Sequence, residues 1–581
     1  MNPWIPHLLR ASGGGGGGAV LPPAGRTMLA NLTSSLILDE GTGAPTWSRA
    51  TKAWGPNELG YLEELASGCA FFGGARLVRN ACPSSEDFSV AAWTKNNLTV
   101  TGTNIVVSSA ATVLQRLYTS SSMTMTAGQR QVVHARLEYI NHPFVQIHLN
   151  ATFSTEYVNF DLVNGTFQVS GGTASAAMTL VSPGVYDCYV YITCASSATT
   201  PSPLIIFATS LASAQNAVFA GDGVKSFKLL RVMSCDVTNY NVSYVPEYVS
   251  VGVVASPYFG AGIDGAKYFE TDWQGAPIAA ANLLGFRREA AATNNLLHSR
   301  DLSNAAWSTK TNITAAKTAT GLDGIANTTT TLTATAADAI ILQPITLASA
   351  ARCASAYVKR RTGSGTISFT QDGGSTWTDI TSLINSSTWS RVQITSTLAN
   401  PSVGFKISTS GDAIDVDCVQ NEAGAVATSP IVTTTTTITR NADSLTYQTA
   451  SNIDFAVGTI YCEAQFASSL TTRRAVLVGP DGYSYINSGD ANTLWKAYDG
   501  TNIVSKSGLS DISTAKRKRV VSWGTGLKVT GDGISPASGS FDGAFGSGSS
   551  MEIGQNINGY IGPVAIYNYQ MTDAELQAIT A

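Results

Sequence analysis

The residues of this chain best suited to chemistry are aromatic rings in a glycine-rich stretch near its C-terminal end. The candidate side chains are Tyr483, Tyr485, Trp495, Tyr498 and Asp499. Aromatic rings stack on the apolar faces of sugars, and carboxylates accept hydrogen bonds from sugar hydroxyls. The pattern predicts a carbohydrate-binding surface, and the alternative is ordinary strand aromatics at a subunit interface.

No arrangement of residues in the sequence predicts catalysis or a bound cofactor. The glycine runs lack the Lys-Ser/Thr pair of a phosphate-binding loop. None of the eight cysteines forms a Cys-x-x-Cys pair and the five histidines do not cluster near them, so we expect no metal site. Cys188 and Cys194 fit small buried side chains on one face of a predicted strand, in a reducing compartment. We predict that the protein is not an enzyme.

Lys516-Arg-Lys-Arg519 is the strongest charge run of the chain. Charged side chains commonly protect an exposed strand edge from pairing with other chains, and that is the role we expect here. Contact with an anionic polysaccharide is the alternative.

Two segments of the chain repeat each other and must occupy equivalent places in two copies of one domain. Residues 80–93 and 294–307 share Asn, Ser, Asp, Ser, an Ala pair and Trp in register. A duplicated segment predicts tandem domains. We expect Asp87 and Asp301 to cap turns and Trp93 and Trp307 to anchor cores, with stacking of the Trp rings on sugars as the alternative.

The composition indicates an all-β protein. Hydrophobic residues make up 44% of the 581 residues and charged residues only 13%. The polar remainder is rich in Thr, Ser, Asn and Gly, which favour strands and turns over helix interiors. A net charge of -4 gives no reason to expect nucleic acid as a partner, and no apolar run is long enough to predict membrane insertion.

The N-terminal residues predict an anchor that docks into another protein. Trp4, Ile5, Leu8 and Leu9 precede six consecutive glycines, Gly13–Gly18. Ordering that much glycine backbone is costly in entropy, so the glycines act as a tether. A disordered tail is the alternative.

These patterns divide the chain into six segments. They are an anchor and tether at 1–18, an attachment region at 19–75, a first β-sandwich at 76–248, an extended connector at 249–290, a second β-sandwich at 291–445, and a third β unit at 446–581. Thr572 followed by Glu575 predicts a capping box that opens a short terminal helix.

Parts of the second copy resemble virion proteins of tailed bacteriophages. One part is Asn295–Trp307, and the other is Gln-Asn-Glu-Ala-Gly-Ala-Val-Ala-Thr-Ser-Pro-Ile at 420–431 followed by Thr-Arg-Asn-Ala-Asp at 439–443. Those proteins are tail fibres, head fibres and decoration proteins built from jelly-roll, carbohydrate-binding-like modules. The ending 559–575 is similar to the last strand and helix of concanavalin-like, laminin-G-like domains. The first copy departs from the pattern at Cys82-Pro83, where the second has Leu296-Leu297.

The resemblance implies an all-β fold with two tandem jelly-roll β-sandwiches, a C-terminal concanavalin-like β-sandwich and an extended N-terminal anchor. It implies a structural virion protein, a tail fibre that binds host surface glycan, assembled in the bacterial host cytoplasm. A head fibre or capsid decoration protein and a polysaccharide-degrading tailspike are the alternatives. The implied partners are other copies of the chain in a homotrimer, phage tail or capsid proteins at the N-terminus, and bacterial surface polysaccharide.

Overall fold

The structure, a computed structural model, describes residues 21–22, 24–57, 59–238, 240, 244–467, 472–486 and 490–581. The anchor residues Trp4, Ile5, Leu8 and Leu9 lie outside the described residues. Within the described part, strands alternate with turns, and helical structure is limited to the 3₁₀ turn Thr381–Leu383 and the helix α1 (Asp573–Thr580). The all-β prediction is confirmed.

The chain forms two compact units. We call residues 76–259 and 263–276 the inserted unit, because their sequence interrupts the other unit. The terminal unit consists of residues 1–75, 260–262 and 277–581 and includes both ends of the chain.

The inserted unit contains the first sandwich. The strands before and within it are β1 (Arg26–Ala30), β2 (Thr46–Ser48), β3 (Ala53–Pro56), β4 (Leu62–Leu65), β5 (Phe72–Gly73), β6 (Arg76–Arg79), β7 (Trp93–Asn96), β8 (Leu98–Thr101), β9 (Ile105–Ser108), β10 (Thr112–Val113), β11 (Arg116–Thr119), β12 (Ser122–Met125), β13 (Arg130–Tyr139), β14 (Phe144–His148), β15 (Tyr157–Asp161), β16 (Thr166–Val169), β17 (Ser175–Ser182), β18 (Val185–Thr193), β19 (Ala198–Pro201), β20 (Leu204–Phe207), β21 (Phe219–Ala220) and β22 (Ser226–Asp236). Its two main sheets have the orders β16-β15-β14-β20-β11-β7 and β17-β18-β13-β22-β9-β8.

The core between these two sheets is built by side chains that alternate in direction along each strand. In β13, Val133, Ala135 and Leu137 join the core cluster between the sheets, while His134 and Arg136 point to the opposite face. Successive side chains of a strand point to opposite faces, so one strand supplies both surfaces.

The second sandwich lies in the terminal unit and repeats this plan. The strands of the connector and of this sandwich are β23 (Ala266–Phe269), β24 (Gly285–Arg288), β25 (Ala292–Asn294), β26 (Thr309–Thr311), β27 (Ile313–Ala319), β28 (Thr329–Ala334), β29 (Ala339–Pro344), β30 (Ala350–Thr362), β31 (Ile367–Thr370), β32 (Thr378–Asp379), β33 (Ser390–Leu398), β34 (Ser402–Ile407), β35 (Ala413–Ala423) and β36 (Ile438–Arg440). The sheet orders are β26-β29-β34-β31-β32 and β27-β28-β35-β30-β33. They match β7-β11-β20-β14-β15 and β8-β9-β22-β13-β18 strand for strand, which agrees with the predicted duplication.

The repeated sequence segments form the same local structure in both sandwiches. Asn80 donates to the carbonyl oxygens of Val232 and Val249, and Asn294 donates to those of Val419 and Ile431. Each Asn also accepts two backbone N–H groups, from Cys82 and Ser234 in one copy and from Leu296 and Asn421 in the other. Each of the two Asn side chains therefore makes four hydrogen bonds. These bonds hold the repeated segment, which we call the entry segment (residues 80–93 or 294–307), against β22 in the first copy and β35 in the second.

The C-terminal sandwich is assembled from both ends of the chain. Its C-terminal strands are β37 (Ser444–Gln448), β38 (Gly458–Phe466), β39 (Arg473–Val478), β40 (Gly482–Ile486), β41 (Trp495–Tyr498), β42 (Ile503–Lys506), β43 (Arg517–Trp523), β44 (Leu527–Gly531), β45 (Ala537–Gly539), β46 (Ser550–Gln555) and β47 (Gly559–Tyr567). One sheet has the order β45-β44-β43-β38-β47-β24-β5, with β1 also paired to β47, and the other has the order β2-β37-β46-β39-β40-β41-β42.

Residues 19–75, which the sequence analysis treats as an attachment region, supply strands to this sandwich. Arg26 lies opposite Tyr567, and Trp47 lies opposite Leu445. Met28 and Ala30 are fully buried. The connector contributes as well, because β24 pairs with β47 on one side and β5 on the other. An attachment role for residues 19–75 stays a prediction.

The terminal helix begins as predicted. The Thr572 side chain accepts the backbone N–H of Glu575, and the Glu575 carboxylate accepts the backbone N–H of Thr572. Leu576 and Ile579 of α1 pack with Tyr461 and Tyr567 on the outward face of the eight-stranded sheet. The helix therefore covers one end of that face.

Candidate functional site

Three of the five predicted sugar-binding residues come together on the outward face of the seven-stranded sheet. Tyr483 and Tyr485 are two residues apart in β40 and so share a face, and Tyr483 lies directly opposite Tyr498 in β41. The ring centroids of Tyr483 and Tyr498 are 5.1 Å apart, and those of Tyr483 and Tyr485 are 5.8 Å apart. We call Tyr483, Tyr485 and Tyr498 the tyrosine row.

The hydroxyl groups of Tyr483 and Tyr498 are used inside the protein. The Tyr483 hydroxyl donates to the carbonyl oxygen of Pro480, and the Tyr498 hydroxyl donates to that of Gly500. Tyr483 and Tyr498 are half-buried, whereas Tyr485 is buried, and burial raises its pKa to about 12. The two half-buried rings are the ones that a ligand could contact.

Two cationic side chains, Arg474 and Lys496, lie next to the tyrosine row. Neither was among the residues predicted from the sequence. The guanidinium carbon of Arg474 lies 4.4 Å from the Tyr483 ring centroid, and Arg474 Nη1 donates to Gln555 Oε1 at 2.6 Å. Lys496 lies opposite Tyr485 and is paired with Asp490 at 2.7 Å. Both positions follow from the register of β39, β40 and β41, which a pattern read along a single strand does not give.

Trp495 and Asp499 do not belong to this surface, and the sequence prediction is corrected for both. Trp495 has no exposed surface, and its Nε1 donates to Ser484 Oγ at 3.0 Å on the inward face of the sheet. Asp499 is buried and accepts the backbone N–H groups of Thr501, Asn502 and Asp542. The ring anchors the core, and the carboxylate organises the turn after β41.

The basic run Lys516–Arg519 is only partly covered by neighbouring strands. Arg517–Arg519 of β43 all pair with β38, but of these three only Arg519 also pairs with β44, so Arg517 and Lys518 extend past the β44 pairing. Lys516 pairs with Glu463 at 3.1 Å, and the fully buried Arg519 pairs with Asp532 at 2.8 Å. These cations have intramolecular partners, which favours a structural role.

The duplicated residues are structural, as expected. Trp93 and Trp307 are each 1% exposed, and each indole N–H donates to a carbonyl oxygen of the entry segment, of Pro83 and His298 respectively. The Asp87 and Asp301 carboxylates each accept the backbone N–H and hydroxyl of the Ser two residues later.

The remaining sequence candidates form no site. All eight cysteines are buried, and burial raises the pKa of Cys353 and of Cys462 to about 12. Among the described residues, no group of three or more His, Cys, Asp or Glu side chains is arranged to hold a metal ion. In the same part of the chain, no helix has the length and apolar character needed to cross a membrane.

Comparisons with known proteins identify no family. No family model matches the chain, and no curated protein matches it significantly. Among solved structures, the N-terminal CBM22-1-CBM22-2 tandem domain of Xyn10C from Paenibacillus barcinonensis is similar at 9% sequence identity and a TM-score of 0.19. The match covers 62% of this chain and 99% of that chain. At this TM-score the likeness is weak and carries no argument about function.

Proposed function

We propose that this protein is a structural component of a bacteriophage virion that binds glycan, in the manner of a tail fibre. The virion part of the proposal is supported by the resemblance of residues 295–307 and 420–443 to phage virion proteins. A tandem of β-sandwiches with duplicated, well-satisfied core residues suits a protein that serves as a scaffold. A head fibre or capsid decoration protein shares these properties.

The observation that carries the glycan part is the tyrosine row. Adjacent half-buried rings of Tyr483 and Tyr498 offer an apolar surface of the kind that stacks on a sugar ring. Lys496 lies opposite Tyr485 in the strand register, and the guanidinium group of Arg474 lies over the Tyr483 ring, so that N–H groups of both side chains can donate to sugar oxygens beside the row. The weak affinity of one such row suffices when several copies act together.

The proposal is binding without cleavage. Its partners are other copies of the chain in a homotrimer, tail or capsid proteins contacted through residues 1–18, and bacterial surface polysaccharide. The protein works in the virion after assembly in the host cytoplasm. A polysaccharide-degrading tailspike is the rival, and it predicts new reducing ends when the protein is incubated with capsule or lipopolysaccharide.

Adsorption of the purified protein to lipopolysaccharide and capsule tests the proposal. Tyr483→Ala with Tyr498→Ala should weaken adsorption about thirtyfold, because each of the two stacking contacts is worth about 1 kcal/mol. Tyr139→Ala, an exposed tyrosine of the inserted unit, is the matched control and should adsorb like the wild type. Undiminished adsorption of a folded double variant would remove the tyrosine row from the proposal.

A further inference from the structure

A polar cleft of about 380 Å³ opens in the terminal unit, outside the tyrosine row. It lies between the outward face of the eight-stranded sheet and the second sandwich, from which Gln393 and the 426–427 segment face it. Its volume falls within the range of small-molecule sites. The side chains that matter for its chemistry are Arg287, Gln393, Gln465, Asn492, Asn558 and Tyr560.

The floor of the cleft is a row of three neighbouring side chains. Tyr560 in β47 lies opposite Gln465 in β38 and opposite Arg287 in β24, so the three share one face of the sheet. The guanidinium carbon of Arg287 lies 5.6 Å from the ring centroids of both Phe71 and Tyr560. Arg287 is thereby held in place, and it fixes the Tyr560 ring as part of the floor.

The opposite wall is held by a buried carboxylate. Glu289 accepts the backbone N–H and the hydroxyl of Ser429, at 2.8 Å and 2.6 Å, directly after the 426–427 segment. Arg287 Nη2 also donates to Glu289 Oε1 at 3.0 Å. Burial alone would raise the pKa of Glu289, but the charges of Arg287 and Arg440 outweigh it and lower the pKa to about 2. The two charged residues of the lining therefore neutralise each other.

Within the described residues, the cleft presents several polar groups to a ligand. Gln465 is only 8% exposed, and it lines the cleft. Arg287 Nε is buried and unsatisfied. Asn558 uses Oδ1 to accept the N–H of Ala290, which leaves its amide N–H₂ for a ligand. Buried polar groups are normally satisfied, so Arg287 Nε favours a polar ligand here, and the amides of Gln465 and Asn558 can bond to the same ligand.

We propose that this cleft binds a neutral saccharide unit. Side-chain amides both donate and accept, as sugar hydroxyls require, and the Tyr560 ring offers a flat surface for the C–H face of the sugar. The mutual neutralisation of Arg287 and Glu289 favours an uncharged ligand over an acidic sugar. The site does not depend on the tyrosine row, so either can fail without the other.

Calorimetric titration of the full chain tests the cleft with glucose, galactose, N-acetylglucosamine and their disaccharides, and with glucuronate as the acidic comparison. At least one neutral sugar should bind with millimolar affinity. Gln465→Leu, which keeps the side-chain volume but removes the amide, should weaken this binding tenfold or more. Ala427→Trp should block it by filling the space. Gln274→Leu, at an exposed turn position, is the matched control and should leave it unchanged.

Two results would overturn the proposal. One is that none of the neutral sugars binds the wild-type protein at millimolar concentration. The other is that binding survives in folded Gln465→Leu, whatever the fate of Ala427→Trp. Binding that survives in the cleft variants but is lost in the Tyr483 and Tyr498 double variant would assign the sugar to the tyrosine row instead.

Discussion

The imidazole Nε2 of His134 lies 2.8 Å from Oδ1 of Asp187 on the outward face of the first sandwich. Burial lowers the pKa of His134, and the hydrogen bond to Asp187 offsets this only in part. Burial alone would raise the pKa of Asp187, but hydrogen bonds from Arg136 and His134 outweigh it and hold the pKa below its usual range. The pair is thus a neutral imidazole beside a carboxylate whose charge Arg136 balances.

The inserted unit should lose stability as the pH falls below about 6.5, the unperturbed pKa of histidine. Burial also lowers the pKa of His142, and it lowers that of His148 to about 4. Between about pH 6.5 and pH 4 the unfolded chain therefore binds more protons than the folded chain, so the free energy of unfolding decreases as the pH falls. His148 alone accounts for roughly 3 kcal/mol once the pH is below 4. The depressed pKa of Asp187 acts only at lower pH.

Hydrogen exchange measured from pH 7 to 4.5, corrected for intrinsic rates, checks this prediction. Protection should decline in β14 of the first sandwich before it declines in the equivalent β31 of the second. His148→Gln should flatten the pH dependence of the first sandwich. Parallel loss of protection in both sandwiches would contradict the role given to the histidines.

Replacing Asn294 by Asp should destabilise the second sandwich by about 3 kcal/mol. Asp cannot donate to the carbonyl oxygens of Val419 and Ile431, and each buried group left unsatisfied costs about 1–3 kcal/mol. Asn80→Asp should have the same effect on the first sandwich. Urea denaturation measures both. The control is Asn304→Asp. The Asn304 side chain accepts the backbone N–H of Ala306, which Asp can also accept, so the free energy of unfolding of this variant should stay within about 0.5 kcal/mol of the wild type.

Trp495→Ala should destabilise the C-terminal sandwich by about 3–5 kcal/mol, because it leaves a large cavity in a closed core. Tyr498→Ala, at the other end of the same strand but half-buried and outward, should cost much less. Thermal melts of the two variants make the comparison. Equal melting temperatures would mean that the Trp495 ring is accessible, as the sequence pattern first suggested.

Deletion of residues 1–20 should leave the terminal unit folded, whereas deletion of residues 1–31 should not. The longer deletion removes β1, whose Met28 and Ala30 are fully buried and whose backbone pairs with β47. Limited proteolysis of the 559–567 strand distinguishes the two truncated proteins, since an unpaired edge becomes accessible. If both deletions resist proteolysis equally, β1 contributes little to the sandwich.

Local patterns predicted the parts of the fold that depend on local structure. The all-β class, the equivalence of Trp93 and Trp307 as core anchors, and the cap at Thr572 all rest on short segments whose neighbours in sequence are also neighbours in space. The shared face of Tyr483 and Tyr485 follows from the period of a strand.

Strand pairing across the chain could not be predicted in this way. Whether Trp495 points inward depends on its register with β40, and how far the run Lys516–Arg519 is covered depends on where the pairing of β43 with β44 ends, at Arg519. The cleft floor likewise needs three strands, β24, β38 and β47, that are far apart in sequence. A pattern within one short segment of sequence cannot identify pairing strands that are this far away along the chain.

The pairing of β1 with β47 makes the ordering of the N-terminal strand depend on completion of the chain. At about 5–20 residues per second, β47 leaves the ribosome roughly half a minute to two minutes after β1. A prematurely terminated chain never supplies that partner, and its β1 keeps an open edge. Only chains extended through β47 can therefore seat β1 in its sheet, so the position of β1 reports whether synthesis has passed residue 567.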